Sequence, residues 1–379
     1  MRKFFIAAIA AAAVISSCKR HHEAVQPVLL DPVAFVDTLD GTPMALYTLK
    51  AGDIVLQATN FGARVASIWT PDRNGDYADI VCGRASLKDY MTPPGERFLG
   101  ACVGPVANRI GNASFTIDGK VFNFPKNDNG KNTLHGGVWG LDMVPWDVVS
   151  SDDSTLVFHY RHANLQEGFP GNLDIEMKYA VTSANEFVIT YKAVTDETTH
   201  VNISNHPFFC LRGESNGSVE EYEMMINASR YTPIDELSIP TGEVAPVEGT
   251  PFDFRTAHLI GERIGEDNEQ LRNARGYDHN WCLDKQTLDG IELACTVHDP
   301  VSGRFLEVLT DQPGLQFYSG NFFDGKSGGK TGKPYGFRSS MALETQKWPD
   351  SCNQPGFTST LLRPGETYTQ TCIYRFSVK

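Results

Sequence analysis

The sequence predicts an all-β fold, a large antiparallel β-sandwich, on three observations. Apolar and polar residues alternate with period two along many short segments, the pattern of strands with one buried face. The chain's 34 Gly and 21 Pro punctuate those segments as turns. Helical spacing is confined to one short stretch, and neither a repeat nor a linker-like tract divides residues 33–379, which are expected to form a single domain. Strands of this kind pack as sheets that bury one face against another.

The first residues point to export rather than to the fold. Arg2 and Lys3 precede an apolar run over residues 4–15, too short to span a bilayer as a helix but suited to a signal-peptide core. Ile15-Ser16-Ser17-Cys18 ends that run and resembles the bacterial lipobox, in which the Cys receives lipid. Residues 1–17 are therefore expected to be a lipoprotein signal peptide, Cys18 the lipidated residue, and 18–32 a flexible tether. The protein is then exported and held on a bacterial membrane through Cys18 alone.

The body follows as strands. Residues 113–117 and 120–124 flank Asp118-Gly119, a two-residue hairpin turn. Residues 173–181 alternate almost without interruption and lead, through a turn at 183–185, into residues 186–194. The helical stretch is 259–272, with Leu259, Ile260, Ile264 and Leu271 loosely in phase. Residues 367–378 close the chain, with Tyr368, Cys372, Tyr374, Phe376 and Val378 on one face.

Composition narrows the function. Loss of residues 1–17 removes Arg2 and Lys3 and takes the net charge from −13 to −15. So acidic a surface repels polyphosphate, which argues against a nucleic-acid partner and suits a neutral small molecule. With Cys18 set aside, seven cysteines remain, an odd number with no CxxC pair. They read as mostly buried small apolar side chains, without a disulfide framework or a zinc site. Gly320 to Ser327 satisfies GxxxxGK[ST], yet two Phe crowd the loop and the glycine-rich continuation will not hold the helix that a phosphate loop requires.

Ionisable groups gather among aromatics and glycines at Asn108-Arg109, His135-Gly136-Gly137, Asn205-His206-Pro207-Phe208, Gly276-Tyr277-Asp278-His279-Asn280 and Leu343-Glu344-Thr345-Gln346. Singly, each has a structural explanation: a loop cap at His135, a core histidine at His206, an ion pair between Arg109 and Asp278. In order, and together with Asn60-Phe-Gly-Ala, Asp79-Ile-Val-Cys-Gly, Gln316-Phe-Tyr-Ser-Gly-Asn-Phe, Pro349-Asp and Asn353-Gln-Pro, they resemble the aldose 1-epimerase (galactose mutarotase) family over nearly the whole mature chain.

The resemblance implies a supersandwich with the sugar in a cleft on one sheet face, and no metal or organic cofactor. It implies interconversion of the α and β anomers of a free aldohexose, galactose or glucose, and no protein partner is evident. It places Glu344 at the general-base position and His206 at the general-acid position. His135, Arg109 and Asp278 match residues that hold the sugar, with Asn108 and Gln316 lining the same cleft. The chemistry suits these types: opening a hemiacetal removes the proton of the C1 hydroxyl while the ring oxygen gains one. In the productive complex Glu344 is expected ionised and His206 protonated. Two alternatives stand beside this reading, a non-catalytic carbohydrate-binding lipoprotein and a hexose-6-phosphate 1-epimerase. Where the family favours Thr or Ser and then an aromatic after Asn-His, this chain has Pro207 and Phe208. Trp69, Trp139, Trp146, Trp281 and Trp348 are expected mostly in the core.

Overall fold

The computed structural model describes residues 23–326 and 328–379. The signal-peptide expectation for 1–17 and the lipidated Cys18 lie outside the described residues. Of the expected tether, residues 23–31 carry no helix or strand, but they are docked rather than free. Val25 donates to Asp76 at 2.8 Å and accepts from Tyr77 N at 3.0 Å, and Leu30 exchanges hydrogen bonds with the Gln57 amide. The packed body therefore starts before residue 33, because the buried Gln57 side chain needs a partner and the chain backbone supplies it.

Two antiparallel sheets dominate. The larger has nine strands, in the order Asp147–Ser151, Thr155–His162, Leu173–Val181, Glu186–Thr195, Tyr368–Val378, Arg304–Thr310, Glu292–His298, Glu223–Ile226 and His258–Leu259. Its centre is the expected hairpin, with Leu173 opposite Thr195 and Val181 opposite Phe187. Leu173, Ile175, Met177, Tyr179 and Val181 are buried, as are Phe187, Ile189, Tyr191 and Ala193, so the alternation in the sequence sets the core face directly. The closing strand puts Tyr368, Cys372, Tyr374 and Phe376 on the same side, whereas Val378 is half-exposed beside the chain end.

The second sheet has six strands: Phe208–Phe209, Met341–Gln346, Gly314–Tyr318, Asp278–Cys282, Arg230–Thr232 and Ala245–Pro246. Trp281, Leu315, Phe317 and Leu343 point into the same core as the large sheet, and the alternate residues point away from it. A four-stranded sheet over residues 46–79 and smaller hairpins complete the fold. Ser114–Ile117 and Lys120–Asn123 pair across Asp118 and Gly119, whose φ of 50° and 82° are those of the turn that continues strand twist.

The stretch at 259–272 is not one helix. It divides into the edge strand His258–Leu259, a 3-10 turn at Ile260–Glu262 and a six-residue helix, Glu269–Ala274, capped by the Asn268 side chain. Gly261 and Gly265 interrupt the run. Ile260, Ile264 and Leu271 are all buried, so their spacing served tertiary packing. A second short helix, Leu87–Met91, starts at Ser86, which caps Asp89 N. No described helix is long and apolar enough to cross a membrane.

The seven described cysteines are unpaired, six of them buried. Trp146 and Trp281 are fully buried and Trp139 is exposed. After the strand Gly314–Tyr318, the described part of the phosphate-loop look-alike leads into no helix, and Phe323 is buried in it. Lys326 pairs with Asp324.

Candidate active site

The outward face of the six-stranded sheet carries the functional row. Asn280, Gln316 and Glu344 are direct neighbours across three strands, and Asp278 lies two residues before Asn280 on the same face. Gln316 Nε2 donates to Asp278 Oδ1 at 2.7 Å, which fixes that carboxylate. The backbone around Glu344 is held from behind. The Leu343 carbonyl accepts from Tyr374 OH at 2.9 Å; that of Thr345 accepts from Ser204 Oγ at 3.0 Å and Gln370 Nε2 at 2.9 Å.

Ser204 begins the strand Ser204–His206, so the same hydrogen bond that holds Glu344 also locates His206. Asn205 adds a bond of 2.6 Å to Tyr179 OH in the large sheet. His206 Nε2 then lies 3.3 Å from Glu344 Oε1, with both side chains buried. Across Pro207 the chain passes from the strand Ser204–His206 to the strand Phe208–Phe209, and Phe208 packs 4.7 Å from the His206 ring and joins the cleft wall.

His135 and Asn108 come from two loops latched to each other. His135 N donates to the Asn108 carbonyl at 3.0 Å, and Asn108 N donates to His135 Nδ1 at 3.1 Å. Because Nδ1 accepts, the ring proton belongs on Nε2. The ring stands edge-on to His206 at 5.3 Å and 4.6 Å from Phe98. Arg109 is pinned by Asp128 at 3.1 Å and reaches toward Asp278 at 3.9 Å.

These groups line an open cleft of about 100 Å³, bounded by Asn108, Arg109, His135, His206, Asp278 and Glu344 and by the aromatic rings of Phe98, Phe208, Tyr318 and Phe322. Six of the seven expected site residues thus line one cavity. Gln316 supports it from beneath through Asp278. Glu96 also lines the cleft, a carboxylate that motif reading passed over. It follows a Pro-Pro-Gly turn like many surface residues, and nothing local marks it. None of the five Trp lines this cavity.

Burial governs the electrostatics. It pushes Glu344 well above the carboxylate range, helped by the negative Asp278 and opposed by Arg109. It also raises Asp278, against the pull of Arg109 and Gln316, and raises Glu96. His206 and His135 are pushed down by burial, His135 further by His206 and Arg109. In the free cleft, Glu344 and His206 therefore favour their neutral forms, not the ion pair expected for the sugar complex. His135, His206 and Glu344 have donor atoms within 4.8 Å of one another.

Two buried carboxylates, two neutral imidazoles and one guanidinium around an aromatic-walled cleft can move a proton between atoms of a neutral polyol. The family model for aldose 1-epimerase matches residues 45–375. The chain belongs to the aldose 1-epimerase family. As a member it is an isomerase, and it interconverts the α and β anomers of an aldose. It is 40% identical to the galactose mutarotase of Rattus norvegicus over 89% of this chain and 95% of that protein. It is 37% identical to the aldose 1-epimerase of Escherichia coli K12 over 89% of this chain and 96% of that one. Among solved structures, an aldose epimerase homologue from C. elegans superposes with a TM-score of 0.81 at 29% identity, covering 88% of this chain and 99% of the other.

The segments that carry the resemblance divide into chemistry and scaffold. Asn60 bonds to Ala45, Pro43 and Trp146, and Asp350 to Gly111 and Asn353, all away from the cleft. Asp79 forms a buried ion pair with Lys330.

Proposed function

We propose that Glu344 and His206 are the base and acid of the anomerisation and that the substrate is a free aldohexose, galactose or glucose. Glu344 takes the proton of the C1 hydroxyl while His206 delivers one to the ring oxygen, and the C1–O bond of the ring breaks to leave the open-chain aldehyde. Rotation about C1–C2 presents the other face of the carbonyl, and the ring closes with the two roles reversed. Arg109 and Asp278 donate to and accept from the remaining hydroxyls, with Asn108 and His135 beside them. The observation that carries the assignment is the 3.3 Å contact between His206 Nε2 and Glu344 Oε1, with Glu344 Oε2 left without a hydrogen-bond partner. Arg109 is the one guanidinium in the lining and is already paired with Asp128, which favours a neutral sugar over a sugar phosphate.

Polarimetry of freshly dissolved α-D-galactose and α-D-glucose tests this. The wild type is expected to hasten the approach to the same final rotation, and Glu344→Gln and His206→Gln each to lower kcat by about 10²- to 10⁴-fold while remaining folded. A Glu344→Gln enzyme at the wild-type rate would remove Glu344 from the mechanism.

The protein is further proposed to be exported and lipid-anchored, on the strength of the 4–15 apolar run and the lipobox-like Ile15-Ser16-Ser17-Cys18. Replacing Cys18 with Ala is expected to move it from the membrane to the soluble fraction of the cell envelope. Unchanged fractionation would rule out the anchor.

A further inference from the structure

Two segments that the sequence marks meet behind the catalytic cleft. One is Asp79-Ile-Val-Cys-Gly; the other is the look-alike of a phosphate loop, which continues as Gly328-Gly329-Lys330. Apart from Phe322, neither lines the cleft. The look-alike lies in the connection between the strands Gly314–Tyr318 and Met341–Gln346, which carry Gln316 and Glu344.

From that connection Lys330 reaches inward, with 3% of its side chain exposed. Its ammonium donates to Asp79 Oδ2 at 2.6 Å and to the carbonyls of Ala66 at 2.9 Å and Val81 at 2.8 Å, so all three protons are used. Lys330 N donates to Glu214 at 2.8 Å, and the Tyr335 hydroxyl, bonded to that carboxylate, accepts from Gly83 N at 2.8 Å. Gly83 leaves the room: a Cβ there would lie 2.5 Å from the Ala66 carbonyl oxygen and 3.3 Å from Lys330 Cδ. Burying an ammonium is costly unless every donor is met, and a socket this complete fixes the connection at one point.

From that point a line of rings leads to the reacting pair. Tyr335 meets Phe323 at 5.8 Å, Phe323 meets Phe208 at 5.1 Å, and Phe208 meets the His206 ring at 4.7 Å. The backbone repeats the path: Cys82 N donates to the Phe208 carbonyl at 2.9 Å and Cys210 N to that of Ile80 at 2.8 Å. The segment after Asp79 thus runs beside the one after His206. Phe322, by contrast, is placed by Tyr318, whose hydroxyl accepts from Phe322 N at 2.9 Å and whose ring stacks on it at 6.0 Å. The wall that meets the sugar and the backing of the His206 ring therefore have separate supports.

We propose that Lys330 is a positioning residue for the anomerisation: seated between Asp79 and the Ala66 and Val81 carbonyls, it holds Phe323 against Phe208 and so keeps the His206 ring in line with the sugar ring oxygen. The inference rests on the assignment of His206 as the acid. A displaced acid costs turnover, because the proton must pass along a short, aligned hydrogen bond, while binding through Arg109, Asp278 and Phe322 stays as it is.

Polarimetric kcat and KM for α-D-galactose and α-D-glucose, on enzymes checked as folded by circular dichroism, test this. In Asp79→Asn/Lys330→Met both buried charges are gone, so neither is stranded in the interior. This variant is expected to lower kcat about 10- to 100-fold and to shift KM less than about threefold. Phe323→Ala should do the same, and adding it to Asp79→Asn/Lys330→Met should cost little more, since both act through one contact. Lys326→Met, on the exposed part of the same connection, should match the wild type. A purely structural Lys330 would lower the urea midpoint and leave kcat alone; that result in folded Asp79→Asn/Lys330→Met overturns the proposal. So does a wild-type kcat in Phe323→Ala, a loss confined to KM, or losses that multiply when the changes are combined. A His206→Gln enzyme at the wild-type rate would instead overturn the acid assignment, whatever the Lys330 variants do.

Discussion

Glu344 and His206 hold a single proton between them, and that count matters more than its position. The ion pair and the neutral pair are tautomers related by one proton moved across 3.3 Å. Burial favours the neutral tautomer in the free cleft. A sugar brings hydroxyl donors to the carboxylate beside the positive Arg109, and those donors favour the ionised one. Both variants tested by polarimetry remove one half of this shared-proton device, so each should cost kcat far more than KM. At this scale the sequence was informative wherever an ionisable residue stood among glycines and aromatics, as at His135 and Asp278. It was silent on Glu96, Phe98 and Phe322, which reach the cleft through loop geometry alone. The preference for neutral forms was also hidden, because burial is a property of the folded neighbours rather than of the residue.

Among elements, strands place the proposed reacting pair together with Arg109 and Asp278, and loops place the other two groups proposed to hold the sugar. Glu344, His206 and Asp278 ride on strands tied to the large sheet, whereas Asn108 and His135 sit in loops at φ of 61° and 51°. Period-two alternation made 173–181 and 186–194 legible as strands. The site strands Asp278–Cys282 and Met341–Gln346 are buried on both faces and carry no such signal, although Asp278 faces the cleft and His279 the interior. The stretch at 259–272 misled because apolar spacing near 3.6 also arises when a turn, a bend and a short helix each bury one residue. Gly136 shows what a loop requires. Its φ is 86°, and a Cβ built there would collide with the Gly104 carbonyl oxygen. Gly136→Ala must therefore move the His135 loop off the Asn108 loop. It is expected to lose about 1–3 kcal/mol of stability in urea unfolding and to raise KM several-fold in polarimetry. Wild-type values for both would mean that the two loops are free to part.

For the whole molecule, the folded core is a store of histidines kept neutral by burial, and this gives its stability a readable dependence on pH. His162 ends the strand Thr155–His162, nearly fully buried, with its ring edge-on to Phe169 at 5.9 Å and no hydrogen-bond partner on Nε2. Burial pushes its pKa down to about 4. The unfolded chain takes that proton near pH 6.5 and the folded protein only near pH 4. The stabilisation is thus fully present above about pH 6.5 and is lost as pH falls through 4. Other groups act in the opposite sense: burial raises Asp79 to about 6 and also raises Asp278 and Asp350, so their contribution grows as pH falls. The acid slope of the wild type alone is a difference between the two sets, but a paired comparison isolates one histidine. His162→Leu keeps the site apolar and removes its proton. Relative to the wild type, the variant should gain about 1.4 kcal/mol per pH unit between about pH 6.5 and pH 4, with a constant offset above pH 7. Urea unfolding of both proteins at stepped pH measures this, and two parallel curves would mean that His162 titrates in the fold as it does in the open chain.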